Sequence, residues 1–265
     1  MRFVSFGSGS SGNCTCIDSD RTHLLVDAGL TRKKTVECLK QMDLSLQDID
    51  GIFLTHEHSD HIAGLRLIAK QTEAPIYATL GTIEAVRNMP GGREIDPARF
   101  VSVRPDVNTT VGDITVCPMH ISHDAADPVG YRFLHGGKKA CVCTDLGCYT
   151  DYTAECLQDS DVLLLEANHD VNMLQVGPYP YSLKRRILSD RGHLSNASSG
   201  ELLNRILNHH LKAIFLGHLS EENNLPELAF ETVRVEIMDG GTGYRPDDLP
   251  IHVARRREMS EIVSW

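Results

Sequence analysis

The segment THEHSDHIAGL, residues 55–65, places three imidazoles and a carboxylate within six residues: His56, His58, Asp60 and His61. Imidazole and carboxylate together are donors suited to zinc, manganese or iron. On an extended segment, side chains two residues apart share a face, so His56 and His58 can serve one cation. Asp60 and His61, where a helical pattern starts, turn toward a neighbouring position. The spacing thus supplies two adjacent metal positions from one loop, which chance clustering on a surface explains poorly.

Two cations need more donors, and other apolar runs carry them at their ends. Asp27 closes HLLVDAG, Asp145 closes KACVCTD, Glu166 to His169 close DVLLLEANH, and His218 closes KAIFLGH. α/β folds place polar residues at the C-terminal ends of buried strands to build a site on a rigid sheet, so these ends are expected to converge on one cleft. His123 in HISHDAADP lies three residues after His120, and either could be a ligand. His169 and His193 compete with His218, whose place at the end of an apolar strand favours it.

The elements that must position these residues alternate short Val, Ile and Leu runs with helix-period segments, the pattern of an α/β architecture. Strands are expected over 3–6, 22–27, 51–55, 76–78, 114–119, 131–134, 140–144, 162–166 and 213–217. Helices are expected over 33–42, 61–70, 80–88, 149–158, 183–190, 197–210 and 225–237. The 265 residues suffice for one large domain, no linker divides them, and no apolar run approaches the ~20 residues of a membrane span. The start, MRFVSFGSG, lacks a secretory signal pattern, so a cytoplasmic location is expected. The eight cysteines are scattered mostly through apolar segments, without the spacing of a structural zinc site, and read as reduced core residues. The net charge of -10 disfavours loose binding of a polyanion over the whole surface, but KRRILSDR (184–191) is a dense local cationic stretch, with RKK (32–34) second.

The motif HxHxDH, followed in order by His123, Asp145 in CVCTDLG and His218 in FLGHLS, resembles the metallo-β-lactamase superfamily over about residues 3–220. The resemblance implies an αββα sandwich: one domain over 1–265 with two mixed β-sheets flanked by helices. It also implies that His56, His58 and His123 hold one metal, that Asp60, His61 and His218 hold the other, and that Asp145 bridges them. Asp27 would support the loop through hydrogen bonds. Two divalent ions, zinc, manganese or iron, about 3.5–4 Å apart would acidify a bridging water into a hydroxide nucleophile and neutralise charge on a phosphoryl oxygen.

The superfamily acts on lactams, thioesters, lactones and phosphodiesters, so other segments must select the substrate. GHLSNASSGELL (192–203) is similar to the histidine-and-serine segment of phosphodiesterase branches, which makes His193 a candidate general acid beside Asp60 in the catalytic set. Ser195 or Asn196 is a candidate cap for the next helix, and Ser195 a candidate phosphate neighbour. GSGSSGN (7–13) sits where no linker is needed; it is read either as a phosphate cradle using Ser8, Ser10, Ser11 and Asn13, or as a tight loop that spares space beside the cleft.

Together SFGSGSSGN, LTHEHSDHIAGL, SHDAADPVGY, TDLG, LLLEANHD, GPYPYSLKRRILSDRGHLSN and LGHLSEENN resemble the YycJ (WalJ) family, which is associated with 5′-to-3′ exonuclease activity on DNA. That resemblance implies a nucleic-acid substrate, DNA favoured, with Asn168, His169 and Ser195 near it and Glu166 at the place of an acidic motif in related nucleic-acid-processing branches. The rival reading is a small-molecule metallohydrolase acting on a thioester, lactone or small phosphodiester with the same metals. A redox di-iron protein of this fold would be expected to carry glutamate at His58, and a non-catalytic scaffold would have little reason to bury a complete ligand set. The segment 225–265 carries no functional reading; MSEIVSW is expected to pack on the sheet or serve an interface.

Overall fold

The computed structural model describes residues 1–265. In chain order the first half contains β1 (Arg2–Gly7), β2 (Cys14–Asp18), β3 (His23–Val26), α1 (Arg32–Gln41), β4 (Gly51–Phe53), α2 (Ser59–Ile62), α3 (Leu65–Ala69), β5 (Ile76–Ala78), α4 (Leu80–Asn88) and β6 (Phe100–Ser102). The second contains β7 (Thr109–Val111), β8 (Ile114–His120), β9 (Val129–His135), β10 (Lys138–Cys143), α5 (Asp151–Leu157), β11 (Val162–Glu166), α6 (Val171–Val176), α7 (Tyr181–Ile187), α8 (Asn196–Ile206), β12 (Ala213–Gly217), α9 (Pro226–Asp239), β13 (Ile251–Val253) and β14 (Val263–Ser264). Two seven-stranded mixed sheets result, in the orders β14-β1-β2-β3-β4-β5-β6 and β13-β12-β11-β10-β9-β8-β7.

Alternation along the strands explains the layers. In β10 and β11, Ala140, Val142, Val162 and Leu164 enter the core between the sheets, while Cys141, Cys143, Leu163 and Leu165 face the core shared with α5, α8 and α9. The first sheet does the same: Phe3, Ile17, Leu24, Val26 and Phe53 point inward, and Val4, Cys16, Leu25 and Ile52 join Cys38, Leu39 and Ile68 on its outer face. The order of layers is therefore helices, sheet, sheet, helices. All eight cysteines are free thiols, seven of them buried and Cys148 half-buried.

Parallel pairing aligns the ends that matter. β3 runs parallel to β4, with Val26 opposite Phe53, and β10, β11 and β12 run parallel with Cys143, Leu165 and Leu216 in one row. Their C-terminal ends open on the same edge of the sandwich. Below that edge Phe53 stacks on Tyr77 with centroids 4.5 Å apart and meets Tyr131 edge-on, while Tyr131 donates its hydroxyl to the Leu54 carbonyl at 2.7 Å. This aromatic block makes the floor under the histidine loop rigid.

Several boundaries differ from the sequence expectation for identifiable reasons. The helix expected over 61–70 is two short helices parted at Gly64, because a Cβ there would overlap the Leu30 carbonyl, and Gly64 donates instead to Ala28 at 2.8 Å. The helix expected to reach residue 210 ends at Ile206, and α6 and the strands β2, β6, β7, β13 and β14 were not expected. The final segment adds β14 to the edge of β1, and the N-terminal ammonium donates to the Trp265 carbonyl at 2.9 Å.

Candidate metal centre

The backbone turns abruptly where each strand meets the cleft. Asp27, Asp145 and His218, just past β3, β10 and β12, adopt left-handed conformations with φ of 59°, 58° and 56°. Such a residue costs about 1–2 kcal/mol unless its side chain gains from the geometry, and Asp and His are among the types found there most often. Here the turn aims each side chain back across the sheet edge. Two further contacts hold His218: its N–H donates to Ser8 Oγ at 2.9 Å, and its carbonyl accepts from Asn168 Nδ2 at 2.8 Å.

Two buried carboxylates anchor the imidazoles. Asp27 accepts the Thr55 N–H at 2.8 Å and the Thr55 hydroxyl, and its other oxygen lies 2.7 Å from His61 Nδ1, which turns His61 Nε2 into the cleft. Glu166 Oε2 accepts the Leu146 and Leu194 N–H groups at 2.6 and 3.1 Å, while Oε1 lies 2.8 Å from His218 Nδ1 and 2.9 Å from His193 Nδ1. His123 Nδ1 rests on the Gly192 carbonyl at 3.0 Å, and His56 Nδ1 on Thr55 Oγ1 at 3.0 Å. Each ring is thus fixed through one nitrogen, leaving the other for a ligand.

The free atoms gather into adjoining groups. Ligand atoms of His56, His58 and His123 lie within 4.8 Å of one another, and so do those of Asp60, His61 and His218. Asp145 lies between them, Oδ2 at 3.1 Å from His61 Nε2 and Oδ1 at 3.4 Å from His218 Nδ1 and 3.7 Å from His123 Nε2. His56 Nε2 is buried with no hydrogen-bond partner, and His58 Nδ1 faces His123 Nε2 at 3.3 Å. An unpartnered buried nitrogen with imidazole and carboxylate donors grouped around it fits a divalent cation.

Titration behaviour separates the two groups. Burial, then the neighbouring His61, pushes His56 well below its ordinary pKa, and burial lowers His123, so both rings stand neutral at pH 7. Burial alone would also lower His61 and His218, but the carboxylates of Asp145 and Asp27 around the first, and of Asp145, Asp60 and Glu166 around the second, outweigh it and raise both well above the usual range. Asp145 is held well below an ordinary carboxylate despite its burial, chiefly by His218 and His61, and Glu166 at about 2 by His193 and His218.

Other expected residues lie nearby. Ser8 is buried with its hydroxyl on His218, whereas Ser10 and Ser11 are exposed. Asn13 is buried, with Nδ2 3.0 Å from His61 Nε2 and 3.3 Å from Asp60 Oδ2, and its backbone bonds Asp60 and Gly29. Within the 7–13 loop a Cβ on Gly12 would press on Gly29, and one on Gly29 itself would overlap the Asp60 carbonyl. Ser195 caps α8, accepting from Ser198 N at 3.2 Å, and Asn196 pairs with Asn224. His169 is buried beside Ser195 with neither ring nitrogen partnered, and burial lowers it to about 4. His120 is exposed and joins no ligand group, whereas His123 does.

Thr55, which bridges Asp27, His56 and His61, had no sequence signal beyond standing directly before the motif. The basic stretch does border the cleft: Arg191 donates to the His123 carbonyl at 3.2 Å, and Arg186 pairs with Asp124 beside it.

A family model described as the β-lactamase superfamily domain matches residues 22–214, which include every candidate ligand except His218. The chain belongs to the metallo-β-lactamase superfamily. Within that superfamily it is YycJ-like. It is 40% identical over 243 residues to exodeoxyribonuclease YycJ of Bacillus anthracis, covering 92% of this chain and 91% of the relative. It is 39% identical over 247 residues to exodeoxyribonuclease WalJ of Streptococcus pneumoniae, covering 93% and 92%. Among solved structures, Zn(2+)-bound PqqB from Methylobacterium extorquens superposes with a TM-score of 0.75 at 16% identity, over 98% of this chain and all of the other. The metallo-β-lactamase fold and its clustered donors support divalent metal binding. No helix is long and apolar enough to cross a membrane.

Proposed function

We propose that this chain is a dinuclear-metal phosphodiesterase that degrades DNA from the 5′ end. The observation that carries the reading is the double role of Glu166, whose Oε1 fixes both His218, a candidate ligand, and His193, which remains partly open to solvent beside the cluster. Identity of about 40% to proteins named exodeoxyribonucleases, over nearly the whole chain, supports the choice of substrate.

His56, His58 and His123 would hold one cation and Asp60, His61 and His218 the other, with Asp145 shared between them. Such a pair supplies an acidified water and charge neutralisation at a phosphoryl oxygen. The chain's own groups do the rest. Asp27 and Glu166 hold the Nδ1 atoms of His61 and His218, so these rings cannot rotate away. Glu166 likewise fixes His193 Nδ1, which leaves Nε2 to bond the scissile phosphate or to give its proton to the departing oxygen. Arg191 braces the His123 carbonyl, and Ser10, Ser11 and His169 remain candidates for phosphate contact.

The test is hydrolysis of a 5′-phosphorylated linear duplex by the metal-reconstituted protein, beside Asp60→Ala and His193→Ala. Nucleotide release by the wild type, abolished in Asp60→Ala and reduced about 10²–10⁴-fold in His193→Ala, supports the reading. Absence of cleavage with manganese, zinc and iron, despite bound metal, would refute it in favour of a small phosphodiester or thioester.

A further inference from the structure

The sandwich edge does not by itself explain how a polymer would be gripped, yet one exposed element beside the cleft has the necessary chemistry. Helices α6 and α7 follow each other across a short loop and are tied by Lys184, whose Nζ donates to the Gln175 and Gly177 carbonyls, both at 2.7 Å. The C-terminal end of α7 meets the catalytic edge, where the Ile187 carbonyl accepts the N–H of His193 at 3.0 Å. The α6–α7 segment is therefore tied directly to the proposed acid.

Its outer surface is left uncovered. Tyr181 is 75% exposed and Val176 87% exposed, far more than packing would leave such side chains. Of the four cations between residues 184 and 191, Lys184 ties α7 to α6, Arg186 pairs with Asp124 and Arg191 lies on the His123 carbonyl. Arg185 makes no such bond; its guanidinium lies 6.0 Å from the Tyr181 ring centroid. The guanidinium lies over one face of the Tyr181 ring, and so exposed a ring can receive a nucleobase on its other face while the cation meets the phosphate, without reading sequence.

We infer that Tyr181 and Arg185 form a stacking and phosphate-binding platform that holds the single-stranded part of a nucleic-acid substrate next to the cleft. This rests on the nuclease reading and specifies its polymer contacts. Tyr181 lies six residues before Ile187, about 9 Å along a helix axis, or roughly three stacked nucleotides at 3.4 Å each. The exposed Tyr181 ring beside a cation favours a nucleobase-bearing polyanion over an acidic peptide, and the net charge of -10 opposes another copy of the chain by like-charge repulsion.

The experiment is equilibrium binding, by fluorescence anisotropy, of a short phosphorothioate strand that resists cutting, with parallel digestion of the ordinary strand and of a small aryl phosphodiester. Tyr181→Ala is expected to weaken binding about tenfold, Tyr181→Phe to restore it, and a strand abasic at the stacked position to bind wild type as weakly as the intact strand binds Tyr181→Ala. Arg185→Ala should lower the slope of log affinity against log salt by about one. The ratio of polymer to small-diester turnover should fall in both variants. A wild type that cuts DNA while Tyr181→Ala binds it unchanged overturns the platform alone; a wild type that neither binds nor cuts overturns the nuclease reading with it. A self-association lost in Tyr181→Ala, with strand binding intact, would assign the surface to a second copy and also overturn the proposal.

Discussion

The two sheets contribute to the cleft in different ways. The first delivers four donors from one six-residue segment, His56 to His61, held by a single carboxylate, Asp27, through Thr55 and His61. The second delivers its donors singly from separate strand ends, Asp145 after β10 and His218 after β12, tied together by Glu166 at the end of β11. Asp27 and Glu166 are thus counterparts: each is buried at a strand end, accepts backbone N–H groups and fixes an imidazole through Nδ1. They differ in reach. Asp27 orders one loop, whereas Glu166 joins residues more than fifty positions apart and also holds His193. A compact motif is locally robust, but a dispersed one depends on its central anchor.

The largest effect should come from removing Asp145, the group that both proposed cation positions would share. Asp145→Ala is expected to lower metal-dependent hydrolysis by more than about 10³-fold and to weaken retention of both cations, measured as turnover and as metal content after dialysis. The anchors come next. Glu166→Gln should weaken metal binding about 100-fold and Asp27→Asn about 10-fold by zinc titration, with the greater loss of turnover in Glu166→Gln because His193 is released as well. Equal losses in metal affinity and turnover would break the asymmetry.

Acid should distinguish the two proposed cation positions. His56 and His123, shifted down, bind without releasing a proton near neutrality, while His61 and His218, shifted up, must lose one. Affinity at the Asp60, His61 and His218 position should therefore fall up to about tenfold per pH unit per proton displaced as pH drops, and that position should empty first. Calorimetric titration at about pH 8 and pH 6 would read two equivalents and then closer to one. The smallest effect is structural: Ser8→Ala, which removes the acceptor of the His218 N–H, should lower stability by about 1 kcal/mol in denaturant melts.

This contrast also marks what the sequence alone could convey. The HxHxDH run is legible because its donors are neighbours in the chain, and Asp27, Asp145, Glu166 and His218 because each ends an apolar strand. Alternation of strand and helix periods indicated the α/β class, while the four-layer sandwich followed from the resemblance to the metallo-β-lactamase superfamily. Contacts closing over long separations were not legible: the Glu166 pairing with two histidines, the Gly192 carbonyl under His123, and the bond from His218 to Ser8, 210 residues away. The edge strands β6, β7, β13 and β14 are short and mostly unburied, so they lack the apolar run that marked the equally short but buried β4 and β5, and β2 breaks its apolar residues with Thr15 and Asp18. The 7–13 loop resembles a phosphate cradle in composition, yet its glycines permit backbone to pack on backbone beside Asp60, and composition does not distinguish the two.

The most direct test of the account is the number of divalent ions per chain at saturation, counted by inductively coupled plasma mass spectrometry on protein reconstituted and freed of loose metal. Two per chain in wild type, falling to one in His218→Ala with the His56, His58 and His123 group intact, is the predicted result. One or none in wild type would contradict a cleft built around a pair of cations.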